Sequence, residues 1–451
     1  MPAKRATPPR VSTPEVNEQA FKHDVSVVGL GRVGLPLALS FADRGLGVVG
    51  VDRDPARLAA VRDGVMPFQE EGTQELLDRV RKGDRLHLSE QIENAADARY
   101  IVLTLGTPNL WHIEIDITDI RSVLDSLLGV LRPGHSVVLR STVAPGTTEF
   151  VAGYLEKQRG LQVGKDVFVA HAPERIAENH FLEEIASLPH IIGGVDEQST
   201  EQVAQLFETF GSRIVKTTPA QAELAKIWTN IFRYTNFALP NLLMMNCEQY
   251  GANVFEVIDL INREYPRGGI AMPGLTGGTC LRKDFAFSEE RSSAPGMLLA
   301  VSRVNESVPL FLVEGIKGRI GSLRDKKVAV LGLTFKRNSD DLRDSLSLKL
   351  VRLLERELAD VVTHDPHAPV AGEELVEAVS SASVVIVATN HDEFTRPQLL
   401  RSIIDRAGED CLVVDPWNAF GSAAVFATAA EAASLASARS FQPAAGFPIA
   451  G

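Results

Sequence analysis

The sequence is poor in cysteine, with Cys247, Cys280 and Cys411 as its three cysteines among 451 residues. They are too few and too far apart to build a disulfide scaffold or a zinc site, and they favour a reducing, cytoplasmic location. The histidines also lack compact metal-ligand spacing, so we predict no metal site; those considered are His171, His180, His364 and His367.

Basic residues are in deficit as well: 46 Lys and Arg stand against 58 Asp and Glu, which gives a net charge of −12. This balance disfavours a nonspecific nucleic-acid binder and a binder of anionic membranes, because both need a basic surface. It still allows a local basic pocket for a phosphorylated small molecule.

Long apolar runs are absent too, and no stretch approaches the roughly 20 apolar residues of a membrane span. Residues 1–20 contain four prolines and no apolar core. They do not resemble a secretory signal, and we expect a disordered leader there. With 45% hydrophobic and 23% charged residues, the remainder has the composition of a soluble globular protein.

Short β-rich runs alternate with helical segments in two parts of the chain, which predicts an α/β fold with doubly wound, Rossmann-like domains. We place the first domain at 21–217 and the second at 321–451, the latter ending in a frayed tail from residue 433. Between them, 218–320 is expected to hold a long central helix over Ala220–Gly251 and a helical dimerisation region. Pro240 should kink that helix or end it locally.

A glycine motif follows the first β-rich run, Val25–Val28, and opens a helix. Gly29 permits a tight turn, Gly31 permits close approach of a pyrophosphate, and Gly34 permits close packing of helix and strand. Asp52, 23 residues after Gly29, ends the next strand and can accept from both ribose hydroxyls. This pattern predicts dinucleotide binding and favours NAD over NADP, although the neighbouring Arg53 offers a partner to a 2′-phosphate.

The segment PGLTGGTCLRKD places Cys280 in a polar, glycine-rich loop. Lys283 follows closely, and a nearby cation lowers the pKa of a thiol and favours the reactive thiolate. We therefore expect Cys280 to be reactive, whereas the apolar surroundings of Cys247 and Cys411 indicate buried structural residues.

Other polar residues fall at suggestive spacings. Lys226 and Asn230 are four residues apart on one helix face, where they could stabilise an oxyanion or simply form an exposed surface. Glu174 and Glu178 are also four residues apart, and Thr142 directly follows a strand.

Seven motifs in order resemble the UDP-glucose/GDP-mannose dehydrogenase family over about residues 24–420: GLGRVGLPLA, GTP, STVAPGTTE, PERIAEN, AELAKIWTNIFR, GGTCLRKD and GLTFKRNSDDLRDS. The resemblance implies oxidation of the C6 alcohol of a nucleotide sugar to a carboxylate with two NAD⁺ per turnover. It implies an NAD-binding first domain and a nucleotide-sugar-binding second domain.

The resemblance also implies roles for individual residues. The implied catalytic residues are Cys280, Lys226, Asn230, Asp284, Glu174 and Thr142. The implied cofactor residues are Gly29, Leu30, Gly31, Arg32, Val33, Gly34, Asp52, Arg57, Thr107, Thr142, Glu178 and Arg343. The implied substrate residues are Glu174, Arg175, Ile176, Ala177, Glu178, Lys226, Asn230, Arg267, Ala271, Met272, Pro273, Gly274, Leu275, Thr276, Gly277, Phe335 and Lys336.

These residue types suit a two-stage oxidation. Cys280 would attack the aldehyde formed first, and the thiohemiacetal would be oxidised to a thioester. Water would then hydrolyse the thioester, with Glu174 or Asp284 poising the base, while Lys226 and Asn230 hold negative charge on oxygen. One departure from the family is Trp417, which stands where members often carry an arginine.

The expected substrate is UDP- or dTDP-glucose, with a UDP-N-acetylhexosamine or GDP-mannose as the alternative. A two-electron β-hydroxyacid dehydrogenase and a non-catalytic nucleotide-sugar or NAD sensor are weaker readings, because the GGTCLRKD loop and the catalytic residue types are present. We expect a homodimer or higher oligomer, since an apolar stripe runs along the central helix: Leu224, Ile227, Ile231, Ala238, Leu242 and Met245. The family resemblance implies an arginine that reaches into the neighbouring subunit's site, and Arg267, in preference to Arg263, is the expected match.

Overall fold

A computed structural model of the chain describes residues 21–107, 117–278, 281–284, 296–368 and 374–438. The expected leader at 1–20 lies outside these residues, and so does most of the expected tail. The first residues of that tail, 433–438, form the end of a regular helix, Ala429–Ala438. The frayed segment was therefore predicted to begin too early.

The first α/β domain is built on an eight-stranded sheet with the order β3-β2-β1-β4-β5-β6-β7-β8. Its strands are β1 His23–Val28, β2 Val48–Val51, β3 Leu86–Ser89, β4 Ala98–Leu103, β5 Ser136–Leu139, β6 Phe168–His171, β7 His190–Gly194 and β8 Ile214–Thr217. Neighbouring strands run parallel except β6 and β7, which are antiparallel. The predicted doubly wound fold is confirmed, but the sheet is mixed rather than wholly parallel.

Helices cover both faces of this sheet. They are Gly34–Asp43, Pro55–Asp63, Thr73–Val80, Thr118–Leu127, Thr147–Arg159, Phe181–Ser187 and Glu197–Glu208. Strand β1 shows why two layers are needed: Val25 and Val27 pack into one apolar cluster while Val28 packs into the other. Because alternate side chains of a strand point to opposite faces, a strand buried on both sides is mainly apolar on both. Ser26 is the buried polar residue of β1, and its Oγ donates to Tyr100 O.

The central helix spans Pro219–Gln249. Thr218 and Gln221 form a capping box at its start, and Pro219 occupies the first turn, where its missing N–H costs no hydrogen bond. Of the two effects expected of Pro240, a kink or a local end, the local end does not occur, since the helix continues to Gln249. A second long helix, Met297–Ile320, packs beside it, and the buried amides of Asn241 and Asn305 are joined at 2.9 Å.

The apolar stripe predicted on the central helix divides between two faces. Ile227, Ile231 and Ala238 are buried within the chain, whereas Leu224 and Leu242 are exposed. The exposed pair belongs to a separate apolar face with three further exposed residues, Trp228, Phe232 and Leu239. We call these five residues the exposed helix face; the successive spacings of 4, 4, 7 and 3 keep them on one side of the helix.

The second α/β domain has a five-stranded sheet with the order β10-β9-β11-β12-β13. Its strands are β9 Lys327–Leu331, β10 Asp360–His364, β11 Val384–Val387, β12 Leu412–Val414 and β13 Phe426–Thr428. The helix Val254–Asn262 precedes this domain, and its own helices are Leu346–Arg356, Leu375–Val379, Pro397–Ala407 and Ala429–Ala438. Strand β13 runs antiparallel to β12 because the connection between them contains no helix and returns the chain directly.

A buried polar pair fixes the loop that follows β9. Asp365 Oδ2 accepts hydrogen bonds from the backbone N–H groups of Leu333 and Thr334, and it lies 3.2 Å from His391 Nε2. His391 Nδ1 in turn accepts from Asn338 N at 2.8 Å.

No helix in the described ranges is long and apolar enough to cross a membrane.

Gly332, at the start of the loop after β9, has φ +89°, and a Cβ there would lie 2.6 Å from Thr389 Cβ. Gly332→Ala should therefore lower the free energy of unfolding by about 1–3 kcal/mol. Gly318 is the matched control, because it lies exposed in the helix Met297–Ile320 with nothing within 4 Å. Gly318→Ala should raise stability by about 0.5–1 kcal/mol. Thermal unfolding of both variants checks this; equal midpoints would contradict it.

Candidate active site

The glycine loop after β1 is shaped by two close approaches. A Cβ at Gly34 would lie 1.8 Å from Gly29 O, and a Cβ at Gly29 would lie 2.9 Å from Thr104 O. Gly31 has no atom within 4 Å of the equivalent position, so its side of the loop is open. The first turn of the following helix carries no side-chain cap, which leaves N–H groups for a phosphate. Leu30, Arg32 and Val33 complete the loop.

Asp52 lies at the end of β2, beside a cavity of about 340 Å³ that Gly29, Gly31 and Arg57 also line. Its Oδ2 accepts from Leu30 N at 2.6 Å and from Arg57 Nη1 at 2.8 Å. The carboxylate predicted to meet a ribose is therefore also the group that ties Arg57 to the glycine loop. The glycine cradle and the enclosed carboxylate fit an adenine dinucleotide.

Arg53 lines the same cavity as Asp52. Its side chain is 89% exposed, and Nη1 is 3.9 Å from Asp119 Oδ1. The competing role that the sequence allowed for Arg53, as a partner for a 2′-phosphate, stays a prediction.

Arg32 connects the glycine loop to the second α/β domain. Its guanidinium lies 2.9 Å from Glu178 Oε1, 2.5 Å from Asp340 Oδ1 and 3.6 Å from Asp341 Oδ2. Arg343, from the same loop as the two aspartates, also binds Asp341. Three residues predicted to contact the cofactor, Arg32, Glu178 and Arg343, thus meet in one interdomain charge cluster.

The central helix carries the best-defined polar contact of the site. Asn230 Nδ2 donates to Asp284 Oδ2 at 2.6 Å, and both residues are buried. Burial raises the pKa of Asp284, and the nearby Lys226 and Lys283 oppose that rise. The predicted helix-face pair Lys226 and Asn230 therefore lies at Asp284, four residues after Cys280 in the sequence.

Lys283 joins this segment to the first domain. Its Nζ donates to Thr107 O at 3.0 Å and to Thr107 Oγ1 at 2.9 Å, and it lies 4.0 Å from Asp284 Oδ1. Thr107 Oγ1 donates to Thr142 O at 2.7 Å. Cys280 itself lies outside the described residues, so its predicted role stays a prediction.

Glu174 lies on the loop after β6 with both carboxylate oxygens bound. Oε1 accepts from Arg175 N at 2.7 Å and from Ile176 N at 2.8 Å, while Oε2 accepts from Arg140 Nη2 at 2.6 Å. The positive charge of Arg140 and these hydrogen bonds lower the pKa of Glu174 despite its burial. Ala177, farther along this loop, donates its N–H to Glu184 Oε2.

Sequence reasoning missed Arg140, which is almost fully buried. A usable signal was available: Arg140 directly follows β5, at the strand edge where Thr142 was singled out. A charged residue at the end of an otherwise apolar central strand needs a buried partner. Sequence reasoning also missed Glu223, which is fully buried and accepts from the backbone N–H groups of Gly146 and Thr148.

The predicted substrate loop, Ala271–Gly277 (Ala271, Met272, Pro273, Gly274, Leu275, Thr276, Gly277), packs against the second α/β domain. A Cβ at Gly274 would lie 2.4 Å from the Trp417 ring. A Cβ at Gly278, directly after the loop, would lie 2.7 Å from the Phe335 ring. Trp417 Nε1 donates to Ala388 O. The Trp417 ring thus packs directly against the loop at Gly274.

Lys336 and Arg267 lie apart from each other. Lys336 Nζ donates to Glu178 O at 2.6 Å, and burial lowers the pKa of this lysine. It also lines a cavity of about 920 Å³, together with residues of the segments 66–75 and 336–340.

Arg267 is exposed and stacks on Tyr265, while Arg263 is paired to Asp259 of its own helix. Neither arginine joins the cluster around Asp284.

Comparisons with known proteins cover the same three regions. Models of the UDP-glucose/GDP-mannose dehydrogenase family match the chain with the NAD binding domain at 23–211, the central domain at 220–307 and the UDP binding domain at 329–422. UDP-N-acetyl-D-mannosamine dehydrogenase of Pyrococcus horikoshii is 33% identical over 377 residues, which is 82% of this chain and 90% of that protein.

Two further likenesses agree with this result. NDP-N-acetyl-D-galactosaminuronic acid dehydrogenase of Ralstonia solanacearum is 32% identical over 391 residues, 82% of this chain and 92% of that protein. The solved structure of UDP-D-ManNAc dehydrogenase from Pyrococcus horikoshii gives a TM-score of 0.82 at 31% identity, over 88% of this chain and 96% of that one. The chain belongs to the UDP-glucose/GDP-mannose dehydrogenase family, whose nucleotide-sugar dehydrogenases use NAD.

Proposed function

We propose that the protein oxidises the C6 hydroxyl of a UDP-N-acetylhexosamine to a carboxylate, with NAD as the oxidant. The relatives and the solved structure described above carry N-acetylated amino sugars in their names. These names favour the alternative substrate class, a UDP-N-acetylhexosamine. The leading expectation, UDP- or dTDP-glucose, finds no support among them.

The observation that carries the proposal is the hydrogen bond between Asn230, on the central helix, and Asp284, in the segment that follows Cys280. Asn230 holds one oxygen of Asp284 at 2.6 Å, and the other oxygen is buried with no hydrogen bond from the described residues. Lys226 lies close enough to oppose the pKa rise of Asp284. The ammonium of Lys226 can stabilise negative charge on a substrate oxygen, and the carboxylate of Asp284 can accept a proton. Both functions suit oxidation of an alcohol through an aldehyde to a carboxylate.

In this proposal Cys280 is the nucleophile. NAD, when bound, accepts one hydride in each of the two oxidation stages. The Cys280 thiolate adds to the aldehyde carbon, and loss of hydride from the thiohemiacetal leaves a thioester. Water then attacks the thioester carbonyl, the C–S bond breaks, and the thiolate is regenerated with release of the sugar carboxylate.

The two candidate bases differ in their surroundings. The pKa of Glu174 is lowered and both its oxygens are bound, whereas the pKa of Asp284 is raised and one oxygen is unbound within the described residues. A raised pKa makes a carboxylate a stronger proton acceptor near neutral pH. We therefore assign the general base to Asp284, with Asn230 orienting it and Lys226 stabilising negative charge on the reacting oxygen.

NADH formation with a panel of nucleotide sugars tests the function. UDP-N-acetylmannosamine and related UDP-N-acetylhexosamines should give the highest kcat/KM, and each sugar consumed should yield two NADH. Preference for UDP-glucose or GDP-mannose would contradict the substrate class. A ratio of one NADH per sugar, with free aldehyde accumulating, would contradict the thioester route.

The exposed helix face supports the further proposal that two copies of the chain associate. Its five large apolar side chains include Phe232, which is 67% exposed, and Trp228, which is 50% exposed. A contiguous apolar patch of this kind typically marks a protein interface. The central helix would then form the core of a dimer, and the exposed Arg267 would be available to the neighbouring site.

Subunit mixing tests that arrangement. Arg267→Ala should raise KM for the sugar with little change in NAD binding, and Cys280→Ala should be inactive. Mixed dimers of the two should regain activity, because one site receives both an intact cysteine and an intact arginine. Arg263→Ala is the control that decides which arginine reaches the neighbouring site, since this variant should stay active without mixing. Absence of rescue in verified mixed dimers, or a monomer by light scattering, would reject the shared site.

A further inference from the structure

Lys226 is the unusual cation of the site. Its ammonium lies near enough to Glu174 and Asp284 to oppose the rise in pKa that burial causes in both carboxyl groups. Across the described ranges it nevertheless forms no hydrogen bond or ion pair with any side chain. Two buried carboxylates near a lysine would ordinarily capture it, because an unpaired charge in a low-dielectric site is costly. Other partners must therefore hold these carboxylates.

Arg140 holds the first carboxylate. It directly follows β5, and Glu174 follows the adjacent parallel strand β6, with Leu139 and His171 in register. Arg140 Nη2 lies 2.6 Å from Glu174 Oε2, and the arginine side chain is 1% exposed. Its Nη1 donates to Ala172 O at 3.0 Å and to Pro173 O at 3.2 Å.

These contacts bind three consecutive residues of one loop to one guanidinium. The planar fork of an arginine can meet a carboxylate and two carbonyls at once, which a lysine ammonium cannot do with the same geometry. Phe207 closes the other side, with the guanidinium carbon 5.0 Å from its ring centroid. Arg140 is therefore fixed from several directions, and Glu174 is fixed through it.

We propose that Arg140 is a positioning residue for the reaction: it binds Glu174 so that Lys226 stays available to the substrate oxygen. This inference rests on the proposed function of the same site. Asn230 plays the corresponding part on the other side, where it binds Asp284. Arg140 itself touches no reacting atom in this assignment and acts through Glu174.

The charged groups that face Glu174 come from several elements. Arg140 comes from the end of β5, Lys226 from the central helix, His190 from the start of β7, and Arg175 from the same loop. Burial lowers the pKa of His190 to about 4, so it is neutral near pH 7 and contributes no fixed charge. Removal of Arg140 should thus raise the pKa of Glu174, because burial then dominates.

The pH dependence of activity provides the first readout. In Arg140→Met, ionised Glu174 is no longer held and competes for Lys226, so kcat should fall as the pH rises through the pKa of Glu174, which should lie about 1–3 pH units above its wild-type value, the size of an arginine's effect on an adjacent carboxylate. Arg140→Lys keeps the charge and should bring the pKa of Glu174 back towards the wild-type value, while kcat stays partly reduced because the contacts with Ala172 O and Pro173 O are lost. Arg79→Met, which breaks an exposed ion pair with Asp43, is the control and should keep the wild-type profile.

A double variant separates positioning from a general structural role. Arg140→Met combined with Glu174→Gln leaves no uncompensated buried charge, and its kcat should be no lower than that of Glu174→Gln alone. If the two losses multiply, Arg140 does not act through Glu174 and the inference is overturned. An unshifted pH profile in both Arg140 variants would overturn it as well.

A readout that does not need turnover distinguishes this inference from the proposed function. Carboxyl ¹³C NMR of glutamate-labelled protein, with the Glu174 resonance assigned from its absence in Glu174→Gln, follows the titration directly. The midpoint should rise in Arg140→Met and return towards the wild-type value in Arg140→Lys. A wild-type protein that forms no NADH with any nucleotide sugar would contradict the function, whereas an unchanged Glu174 midpoint in Arg140→Met would contradict the role of Arg140.

Discussion

The arrangement of the site depends on one electrostatic constraint: two buried carboxylates lie near one lysine, and each is bound to another donor. Glu174 is held by Arg140 at 2.6 Å, and Asp284 is held by Asn230 at 2.6 Å. In the proposed mechanism, Lys226 is thereby left for the substrate. Each donor comes from a different element, so the constraint also requires that the sheet, the central helix and the segment after Cys280 meet at one place.

Strand ends and one long helix satisfy this requirement. Arg140 and Glu174 follow adjacent parallel strands, whose carboxyl ends lie at the same edge of the sheet. The central helix starts at a capping box next to β8 and brings Lys226 and Asn230 to that edge on successive turns. Lys283 then binds Thr107 and fixes the segment containing Asp284 to the first domain. The central helix and the residues that directly follow two adjacent strands thus supply Lys226, Arg140 and Glu174.

Local patterns in the sequence predicted a large part of this arrangement. Strand–helix alternation, the glycine spacing from Gly29 to Gly34 and the four-residue spacing of Lys226 and Asn230 are short-range signals. Contacts between distant residues were not predictable in this way. Arg32 and Asp340 are 308 positions apart, and nothing in the local sequence pairs them. The antiparallel pair β6–β7 and the division of the helical stripe into buried and exposed faces likewise depend on packing between distant segments.

In the proposed mechanism the four-electron oxidation depends on Cys280, and its replacement tests the account most directly. In Cys280→Ser, release of the sugar carboxylate should fall by several orders of magnitude, because an ester of the introduced hydroxyl hydrolyses far more slowly than a thioester. Cys247→Ser and Cys411→Ser alter buried residues and should change stability by about 1 kcal/mol while turnover persists. Full carboxylate release by Cys280→Ser, measured with purified protein, NAD and a UDP-N-acetylhexosamine, would contradict the central claim.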